Sequence, residues 1–308
     1  MYDIEQAEIV DALSTPLAPV DNSLDDLCYL DLSMENHETP IIEKSKYYSI
    51  EDFNNLSNDI RDERYLSIMN VNSRSLLKNH TNYDTYLRVL ECEHFSHFDI
   101  ISFTETWLDE TSENAVPFDN YNAEFRHKTG KRGGGIAIYI RDELDYTRRD
   151  DLFFPTERNT MFDGLFIEIV LPNGLHVIVG VVYRSPSHNS INEFIDHLKD
   201  ILQDISQENK EVVLLGDTNI DLLKYKMQRP ISNYLDLLVT SSYTPLITVP
   251  TRISQNSATL IDHIFRKQSE IKYLAGTLMN DISDHYINFS FSWKIFPKTS
   301  LNLSPTDR

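Results

Sequence analysis

Polar side chains of a particular kind stand at the ends of several apolar runs in this sequence. The run "VVLLGDTN" ends in Asp217 and Asn219, "SIMNVNS" contains Asn70, and "IISFTETWL" reaches Glu105. The remaining members are Tyr183 in "VIVGVVYRSP", Asp262 in "TLIDHIF", and Asp284 and His285 in "NDISDHYINF". If these run ends meet at one edge of a sheet, they bring together carboxylates, amides, one imidazole and one phenol. Such a set suits a hard divalent cation and a phosphate.

These residue types can divide the work of phosphodiester hydrolysis. A carboxylate such as Glu105 binds Mg²⁺ through oxygen, and the ion stabilises charge on phosphate oxygens during in-line attack by water. An ionised Asp217 can accept a proton from that water, while Asn219 donates a hydrogen bond to the water or the phosphate. His285 can contact the phosphate when a carboxylate such as Asp262 fixes its tautomer and favours its charged form.

Each of these residues also has an ordinary structural interpretation. Asp and Asn after a strand are common turn formers, and for "GDTN" alone turn chemistry is the better explanation. Glu105 fits a loop carboxylate, Tyr183 fits a strand-end aromatic with a solvated hydroxyl, and His285 fits a satisfied core histidine. The complete set, with each member at a strand end, favours a functional site over turn chemistry.

A second feature is the basic, glycine-rich stretch "FRHKTGKRGGGIAIYIRD" at 125–142, which holds four of the nine glycines of the chain. Glycines let backbone amides approach phosphates closely, and neighbouring cations add charge, so the stretch is suited to contact with phosphates. The alternative is a flexible hairpin turn with solvated charges. The spacing is not that of a P-loop, so we expect no nucleotide cofactor. The predicted DNA contacts in this stretch are Arg126, Lys128, Lys131 and Arg132.

The elements that must position these residues are short β-rich runs separated by amphipathic helices. The pattern predicts helices at 82–95, 190–207 and 231–242. It predicts strands at 65–71, 99–104, 121–127, 135–141, 162–171, 175–183, 211–216, 259–265, 272–277 and 286–293. Strands that are apolar throughout, such as "EVVLLG", need cover on both faces, so helices should flank the sheets.

The negative charge of the chain is concentrated near its start. The 308 residues carry a formal net charge of −20, and residues 1–64 hold 16 acidic and 4 basic side chains, a net of −12. We predict an acidic, largely disordered segment at 1–62, a folded domain at 63–296 and a flexible tail at 297–308. Within the first segment, "KYYSIEDFNNL" at 46–56 is a candidate short helix or docking segment. The acidic segment can bind a partner, repel non-target DNA or be unselected sequence.

Signals for targeting and for structural metal are lacking in the sequence. No apolar stretch approaches the roughly 18 residues of a membrane span, and the N-terminus is acidic where a secretory signal is basic and then apolar. The two cysteines, Cys28 and Cys92, offer neither a disulfide framework nor a zinc spacing. We expect an intracellular protein with no membrane partner, located in the nucleus if it acts on DNA.

Taken together, the motifs resemble the endonuclease/exonuclease/phosphatase superfamily, which includes apurinic/apyrimidinic endonucleases and pancreatic deoxyribonuclease. They are most similar to the apurinic/apyrimidinic-like endonuclease domain of non-long-terminal-repeat, LINE-type retrotransposons. The motifs lie in family order over about residues 65–293 and are "MNVNSRSLL", "ISFTETWL", "KRGGGIAIYIR", "GVVYRSP", "LLGDTNIDLL", "ATLIDHIF" and "SDH".

The resemblance implies an α/β fold of the DNase I-like kind. This is a four-layer α/β sandwich in which two central mixed β-sheets are flanked by helices, with the site at one edge of the sheets. It also implies a Mg²⁺ cofactor, for which Mn²⁺ can substitute. By the resemblance, Asn70 and Glu105 hold the metal and its environment, and Asp284 tunes the metal site.

The other site residues receive catalytic roles from the same resemblance. Tyr183 and Asn219 contact the scissile phosphate, and Asp217 orients or deprotonates the attacking water. Asp262 pairs with His285. Family members cut DNA by Mg²⁺-dependent hydrolysis that leaves a 3′ hydroxyl, and in retroelements that end primes reverse transcription.

The expected partner is therefore DNA, in its double-stranded form, and Arg184 is added to the predicted DNA contacts. Retroelement proteins usually continue into a reverse transcriptase, a region that we expect to be absent from this chain. Two other functions stay open: a phosphoesterase of the same fold acting on RNA, a nucleotide or a phospholipid, and a catalytically silent binding module. The Lys/Arg cluster at 126–132 favours a polyanion over a lipid.

Overall fold

Two β-sheets lie face to face at the centre of the computed structural model, which describes residues 44–60, 65–91, 97–127, 133–154, 162–186, 191–269 and 271–293. The strands of these residues are β1 (Lys46–Tyr48), β2 (Tyr65–Asn72), β3 (Ile100–Thr104), β4 (Tyr121–Arg126), β5 (Ile136–Arg141), β6 (Asp145–Arg148), β7 (Phe162–Val170), β8 (His176–Arg184), β9 (Glu211–Asp217), β10 (Tyr243–Pro245), β11 (Arg252–Ser254), β12 (Ser257–Thr259), β13 (Asp262–Lys267), β14 (Tyr273–Leu278) and β15 (Ile287–Trp293). The α-helices are α1 (Ile50–Ile60), α2 (Leu76–Leu90), α3 (Ile191–Ser206) and α4 (Arg229–Thr240).

Strand order places the ends of several strands at one edge. The first sheet has the order β1-β14-β15-β2-β3-β5-β4, the second has the order β10-β13-β9-β8-β7-β6, and β11 pairs with β12 in a separate ribbon. Both sheets are mixed, since β2 runs parallel to β3 and β8 runs parallel to β9, whereas β13 runs antiparallel to β9. The carboxyl ends of each parallel pair therefore share an edge, and β13 begins at the edge where β9 ends.

Helices cover the outer face of each sheet. Phe53 of α1 and Tyr83 of α2 pack against the first sheet, where Phe53 meets Phe289 at a ring centroid distance of 5.2 Å. Phe194 of α3 and Tyr234 of α4 pack together against the second sheet. The predicted four-layer α/β sandwich, with two mixed sheets between helical layers, is confirmed.

The alternation of side chains along β2 explains how polar residues come to face the second sheet. Leu66 and Ile68 belong to the core between the sheets, whereas Met69 and Val71 belong to the core beneath the helices. Asn72 continues the parity of Leu66 and Ile68, because successive side chains of a strand point to opposite faces. The end of β2 thus directs an amide into the space between the two sheets.

The folded unit begins earlier than the predicted boundary at residue 63. β1 pairs in parallel with β14, and Tyr48 lies opposite Leu278. Phe53 of α1 is fully buried among aromatic rings. The reason is that β1 extends an existing sheet edge and α1 has one narrow apolar face, so neither needs a long periodic pattern. The short helix suggested within 46–56 is present as α1. Residues 1–43 and 294–308 lie outside the described residues.

Other differences concern short elements and helix ends. α2 begins at Leu76 instead of residue 82, because the backbone N–H of Leu76 donates to the carbonyl of Thr106 over 2.9 Å. β6, β10 and the β11–β12 ribbon were not predicted, since strands of three or four residues carry too little alternation to detect. None of the helices in the described part of the chain has the length and apolar character needed to cross a bilayer.

Candidate active site

The turn after β9 is built around a glycine that no other residue can replace without a clash. Gly216 has φ of 134°, and a Cβ placed on it would lie 1.9 Å from the carbonyl oxygen of Val182 in β8. The close approach of the two strands lets Asp217 point into the space between the sheets, where it is fully buried. The sequence "GDTN" therefore forms a tight strand end and not a generic loop.

Asp217 accepts hydrogen bonds from a residue of the first sheet and from a residue of the turn after β9. Asn72 Nδ2 donates to Asp217 Oδ2 over 2.7 Å, and the backbone N–H of Asn219 donates to Asp217 Oδ1 over 2.9 Å. Asn219 has φ of 50°, which returns its backbone to the carboxylate, and its side-chain Nδ2 donates to Asp217 Oδ2 over 3.2 Å. The spacing of two residues between Asp217 and Asn219 thus serves to hold the carboxylate.

Asp262 and His285 form a buried ion pair beside Asp217. Asp262 is the register partner of Asp217 in the β9–β13 pair, and His285 Nδ1 lies 2.8 Å from Asp262 Oδ2. Thr251 Oγ1 donates to the same oxygen over 2.7 Å. Burial opposes the charged imidazolium of His285, but the carboxylate of Asp262 outweighs this and raises the pKa of His285 to about 9. The ring is therefore charged at neutral pH and presents Nε2–H as a donor.

Burial and the neighbouring carboxylate both disfavour the charged form of Asp217. Burial raises the pKa of Asp217, and the negative charge of Asp262 raises it further, while the charge of His285 and the hydrogen bond from Asn219 lower it. Ligand atoms of Asp217, Asp262 and His285 all lie within 4.8 Å of one another. The site thus holds two carboxyl groups and one imidazolium in a buried space, and it is electrostatically prepared for a cation or for a proton transfer.

Glu105 and Tyr183 face each other from the two sheets. Tyr183 is buried near the end of β8, and its hydroxyl donates to Glu105 Oε1 over 3.2 Å. Burial, with the charge of Glu105, raises the pKa of Tyr183 far above its usual range, so the phenol stays neutral and acts as a donor. Glu105 has φ of 51°, a conformation that costs a non-glycine residue about 1 to 3 kcal/mol and is found most often at functional sites.

Asn70, predicted as part of the metal environment, lies deeper than the other site residues. It is fully buried, its Oδ1 accepts a hydrogen bond from Ser102 Oγ over 3.0 Å, and its Nδ2 has no partner in the described residues. Its oxygen is thus committed to Ser102. Asn72, which stood in the same motif without an assigned role, is the residue that reaches Asp217.

Asp284, the third predicted metal residue, is held by two arginines. Arg74 Nη1 lies 2.6 Å and Arg252 Nη2 lies 2.7 Å from Asp284 Oδ2. Burial raises the pKa of this carboxyl, but the hydrogen bond from Arg74 and the charges of His285 and Arg252 outweigh burial and lower it. Neither arginine was singled out in the sequence.

The structure describes two of the five predicted DNA contacts. Arg126 ends β4 and stands opposite Ile136 at the start of β5, while Lys128, Lys131 and Arg132 lie outside the described residues. Arg184 is only 4% exposed, and its Nη1 donates to the carbonyl of Thr218 over 3.0 Å. Its burial places it inside the protein, so we correct its role from a DNA contact to a support of the turn after Asp217.

The glycine-rich run is packed against the strand end that carries Glu105. Gly133, Gly134 and Gly135 all have positive φ, and the carbonyl of Gly134 accepts a hydrogen bond from the backbone N–H of Trp107 over 3.0 Å. A Cβ on Gly135 would lie 2.6 Å from Thr106 Oγ1. In its described part, the run thus packs against the site, and it joins β4 to β5, which pair in antiparallel. Residues 128–132, on which the choice between a DNA-binding loop and a hairpin turn with solvated charges depends, lie outside the described residues.

Comparison with known proteins identifies the family. The model of the Endonuclease/Exonuclease/phosphatase family matches residues 69–285, well over half of the chain and all the residues of the site. This protein belongs to the endonuclease/exonuclease/phosphatase family. The predicted resemblance to this superfamily is confirmed. No protein of curated function matches the sequence.

Solved structures support the family at the level of the fold. The endonuclease domain of TRAS1, a telomere-specific non-LTR retrotransposon, is 14% identical with a TM-score of 0.54, covering 75% of this chain and 99% of its own. TDP2 of D. rerio, complexed with single-strand DNA product, is 16% identical with a TM-score of 0.54, at 75% and 99% coverage. A 3′-5′ exonuclease of Neisseria meningitidis is 16% identical with a TM-score of 0.53, at 74% and 100% coverage.

Members of the endonuclease/exonuclease/phosphatase family are typically metal-dependent, and the residues of this site fit a divalent cation. Asp262 Oδ1 is buried and has no hydrogen-bond partner in the described residues. Such an oxygen is costly to bury unless a cation, a water or a ligand group meets it. With Asp217 it forms a pair of carboxylate oxygen donors, which is the chemistry of a hard metal ion. The family fold thus supplies a hydrolase site in which carboxylates and one imidazolium converge.

Proposed function

We propose that this protein is a Mg²⁺-dependent endonuclease that nicks double-stranded DNA, leaves a 3′ hydroxyl, and derives from a non-LTR retrotransposon acting in the nucleus. The observation that carries the proposal is the buried cluster of Asp217, Asp262 and His285 at the edge where both sheets open. The likeness to a retrotransposon endonuclease domain and to a structure holding a DNA product supports DNA as the substrate.

In the proposed reaction, water oxygen bonds to phosphorus and the bond from phosphorus to the 3′ oxygen breaks. Burial, with the charge of Asp262, raises the pKa of Asp217 to about 8, so the ionised form that takes one proton of the water increases as the pH rises through that value. Asn72 and Asn219 hold the carboxylate oxygens of Asp217 in place. The imidazolium of His285, charged because of Asp262, donates Nε2–H to a phosphate oxygen on which negative charge builds. The leaving oxygen takes a proton from solvent and becomes the 3′ hydroxyl, and Asp217 releases the proton that it took to solvent.

Glu105 is the carboxylate that we assign to Mg²⁺, together with the oxygen of Asp262 that lacks a partner. A Mg²⁺ ion held there would stabilise charge on the phosphate oxygens. Tyr183 donates to Glu105 and orients it, and its contact with the scissile phosphate stays part of the proposal. The side-chain amide of Asn219 donates hydrogen bonds to Asp217 Oδ2 and, over 2.8 Å, to the backbone carbonyl of Arg184.

A phospholipid substrate is disfavoured by the surface. Lipid-acting enzymes present contiguous apolar loops, whereas the large apolar side chains exposed among the described residues stand on separate elements. They are Leu77, Phe153, Val170 and Met227. RNA and nucleotides remain as competing substrates for the same chemistry, and the test below includes RNA.

The first test is nicking of supercoiled plasmid by purified protein in Mg²⁺, beside an EDTA control and the Asp217→Asn variant. Asn is nearly isosteric but cannot take a proton, so we expect loss of at least about 100-fold in rate, the usual scale for a general base. The nick should serve as a primer for a DNA polymerase without phosphatase treatment, because a 3′ hydroxyl is already present.

Four outcomes would contradict the proposal, each in a different part. Wild-type cleavage by Asp217→Asn would remove Asp217 from its role, and nicks that prime only after phosphatase treatment would place the cut on the other side of the phosphate. Cleavage of a matched RNA duplex in preference to DNA would reassign the substrate. No cleavage of either polymer, with the fold intact by circular dichroism, would identify a silent binding module.

A further inference from the structure

Two arginines share one carboxylate beside the candidate active site. Arg74 Nη1 and Arg252 Nη2 lie 2.6 Å and 2.7 Å from Asp284 Oδ2. The arginine side chains are 46% and 40% exposed, and that of Asp284 is 35% exposed, whereas the catalytic side chains next to them are buried. Two positive charges against one negative charge leave the cluster with a net charge of +1 on the surface.

The backbone of Arg74 is fixed by two residues of the site. Its N–H donates to Asn72 Oδ1 over 3.1 Å, and Asn72 in turn donates to Asp217. The next residue, Ser75, donates its N–H to the carbonyl of Glu105 over 2.8 Å. With φ of 42°, Arg74 sits at a sharp turn between these two anchors. The backbone that carries its guanidinium is therefore tied to Asn72 and Glu105, and the guanidinium itself contacts Asp284.

Arg252 is fixed in the same manner from the other side. It follows Thr251, whose hydroxyl donates to Asp262, and it forms an isolated β-bridge with His285. Its Nε and Nη2 both contact Asp284 Oδ2, at 2.8 Å and 2.7 Å. Guanidinium groups have five N–H donors, so each arginine keeps donors for another anion after binding Asp284.

We propose that Arg74 and Arg252 bind the backbone phosphates on either side of the scissile phosphate, and that Asp284 positions both guanidinium groups. This inference rests on the proposed function, because it assumes a nucleic acid strand at the site. A phosphate bound by His285 in a strand has one phosphate neighbour in each direction, and arginines are suited to such anions by charge and by geometry. Asp284 is then a positioning residue and not a metal ligand.

The binding test uses a fluorescein-labelled DNA duplex in EDTA, so that no strand is cut. Anisotropy titrations at several salt concentrations give the slope of log K against log salt. Each phosphate contact contributes about 0.9 to this slope. We expect Arg74→Ala and Arg252→Ala each to reduce the slope by about 0.9 and to weaken binding roughly tenfold at low salt.

Arg88 supplies a matched control. It is 54% exposed and is also shared between two acidic partners, Asp84 and Asp119, but it lies on α2 away from the site. Arg88→Ala should leave affinity and slope at the wild-type values. Equal slopes for Arg74→Ala, Arg252→Ala and wild type would overturn the inference, as would the absence of wild-type binding at low salt.

The role of Asp284 is tested by Asp284→Asn in the cleavage assay. Loosening the arginines should raise KM for the plasmid several-fold with kcat nearly unchanged, since this pattern marks lost binding shared by ground and transition states. The Mg²⁺ concentration for half-maximal rate should stay at the wild-type value. A tenfold rise in that concentration would return Asp284 to the metal.

The endonuclease proposal and the arginine assignment can be contradicted separately. If wild type binds the duplex with a slope that drops in both arginine variants but cuts nothing in Mg²⁺, the endonuclease proposal is wrong while the phosphate contacts stand. If wild type cuts DNA and neither arginine variant changes slope or KM, the endonuclease proposal stands and the arginine assignment is wrong.

Discussion

At the scale of single residues, the site depends on a few residues whose backbone φ is positive. Gly216 lets β9 approach β8, and Asn219 returns the chain to Asp217 from a left-handed conformation. These positions place the buried side chain of Asp217 next to Asp262, although negative charges on the two side chains repel each other. The arrangement is typical of a site that gives up stability for chemistry.

The conformational role of Gly216 leads to a prediction with an internal control. Gly216→Ala would place Cβ 1.9 Å from a backbone carbonyl, so we expect a loss of roughly 3 to 5 kcal/mol in the free energy of unfolding. Gly174→Ala shares the positive φ, at 79°, but has nothing within 4 Å, so it should cost about 1 kcal/mol. Urea unfolding measures both, and equal losses would show that backbone conformation alone, without the clash, sets the cost.

Sequence reasoning located the site residues better than their partners. Asp217, Asp262 and His285 could be predicted as one group because strand ends at one edge converge. The contact of Asn72 with Asp217 joins residues 145 positions apart on different sheets, and no pattern in a single chain encodes how the sheets stack. Arg184 was misassigned for the same reason, since a charge beside a motif does not reveal its burial.

At the scale of elements, long strands and helices were predictable and short ones were not. The apolar pattern of α3 is clear over all 16 of its residues. β9 is shorter, but it ends in a recognisable turn. β1 has three residues, and its stability comes from the edge of β14 and from α1, both outside its own sequence. The boundary of the domain was displaced for this reason.

The inclusion of α1 in the fold predicts the effect of one core substitution. Phe53 is fully buried, with ring contacts to Phe98, Phe289 and Phe291, so Phe53→Ala should lower the free energy of unfolding by about 3 to 5 kcal/mol. Met227→Ala removes an apolar side chain that is 84% exposed and should change it by less than about 0.5 kcal/mol. A result for Phe53→Ala that matches Met227→Ala would mean that α1 is a detachable segment, as the sequence suggested.

At the scale of the whole molecule, an acidic protein is proposed to bind an acidic polymer. Residues 1–43 contain 11 acidic and no basic side chains, so removing them changes the formal net charge from −20 to −9. Charges on this segment repel DNA at distances comparable to the Debye length, about 10 Å at 0.1 M salt. The effect should therefore act mainly on the rate of association.

We predict that a variant lacking residues 1–43 associates with duplex DNA faster than the full chain at 50 mM salt, and that the difference disappears at 500 mM salt, where screening is strong. Stopped-flow anisotropy measures both rates. A full-length variant with the 11 acidic residues changed to Asn and Gln keeps the length and removes the charge, so it should match the truncated protein. If it matches the wild type instead, the segment acts by bulk or by binding a partner, and electrostatic repulsion of DNA is not its role.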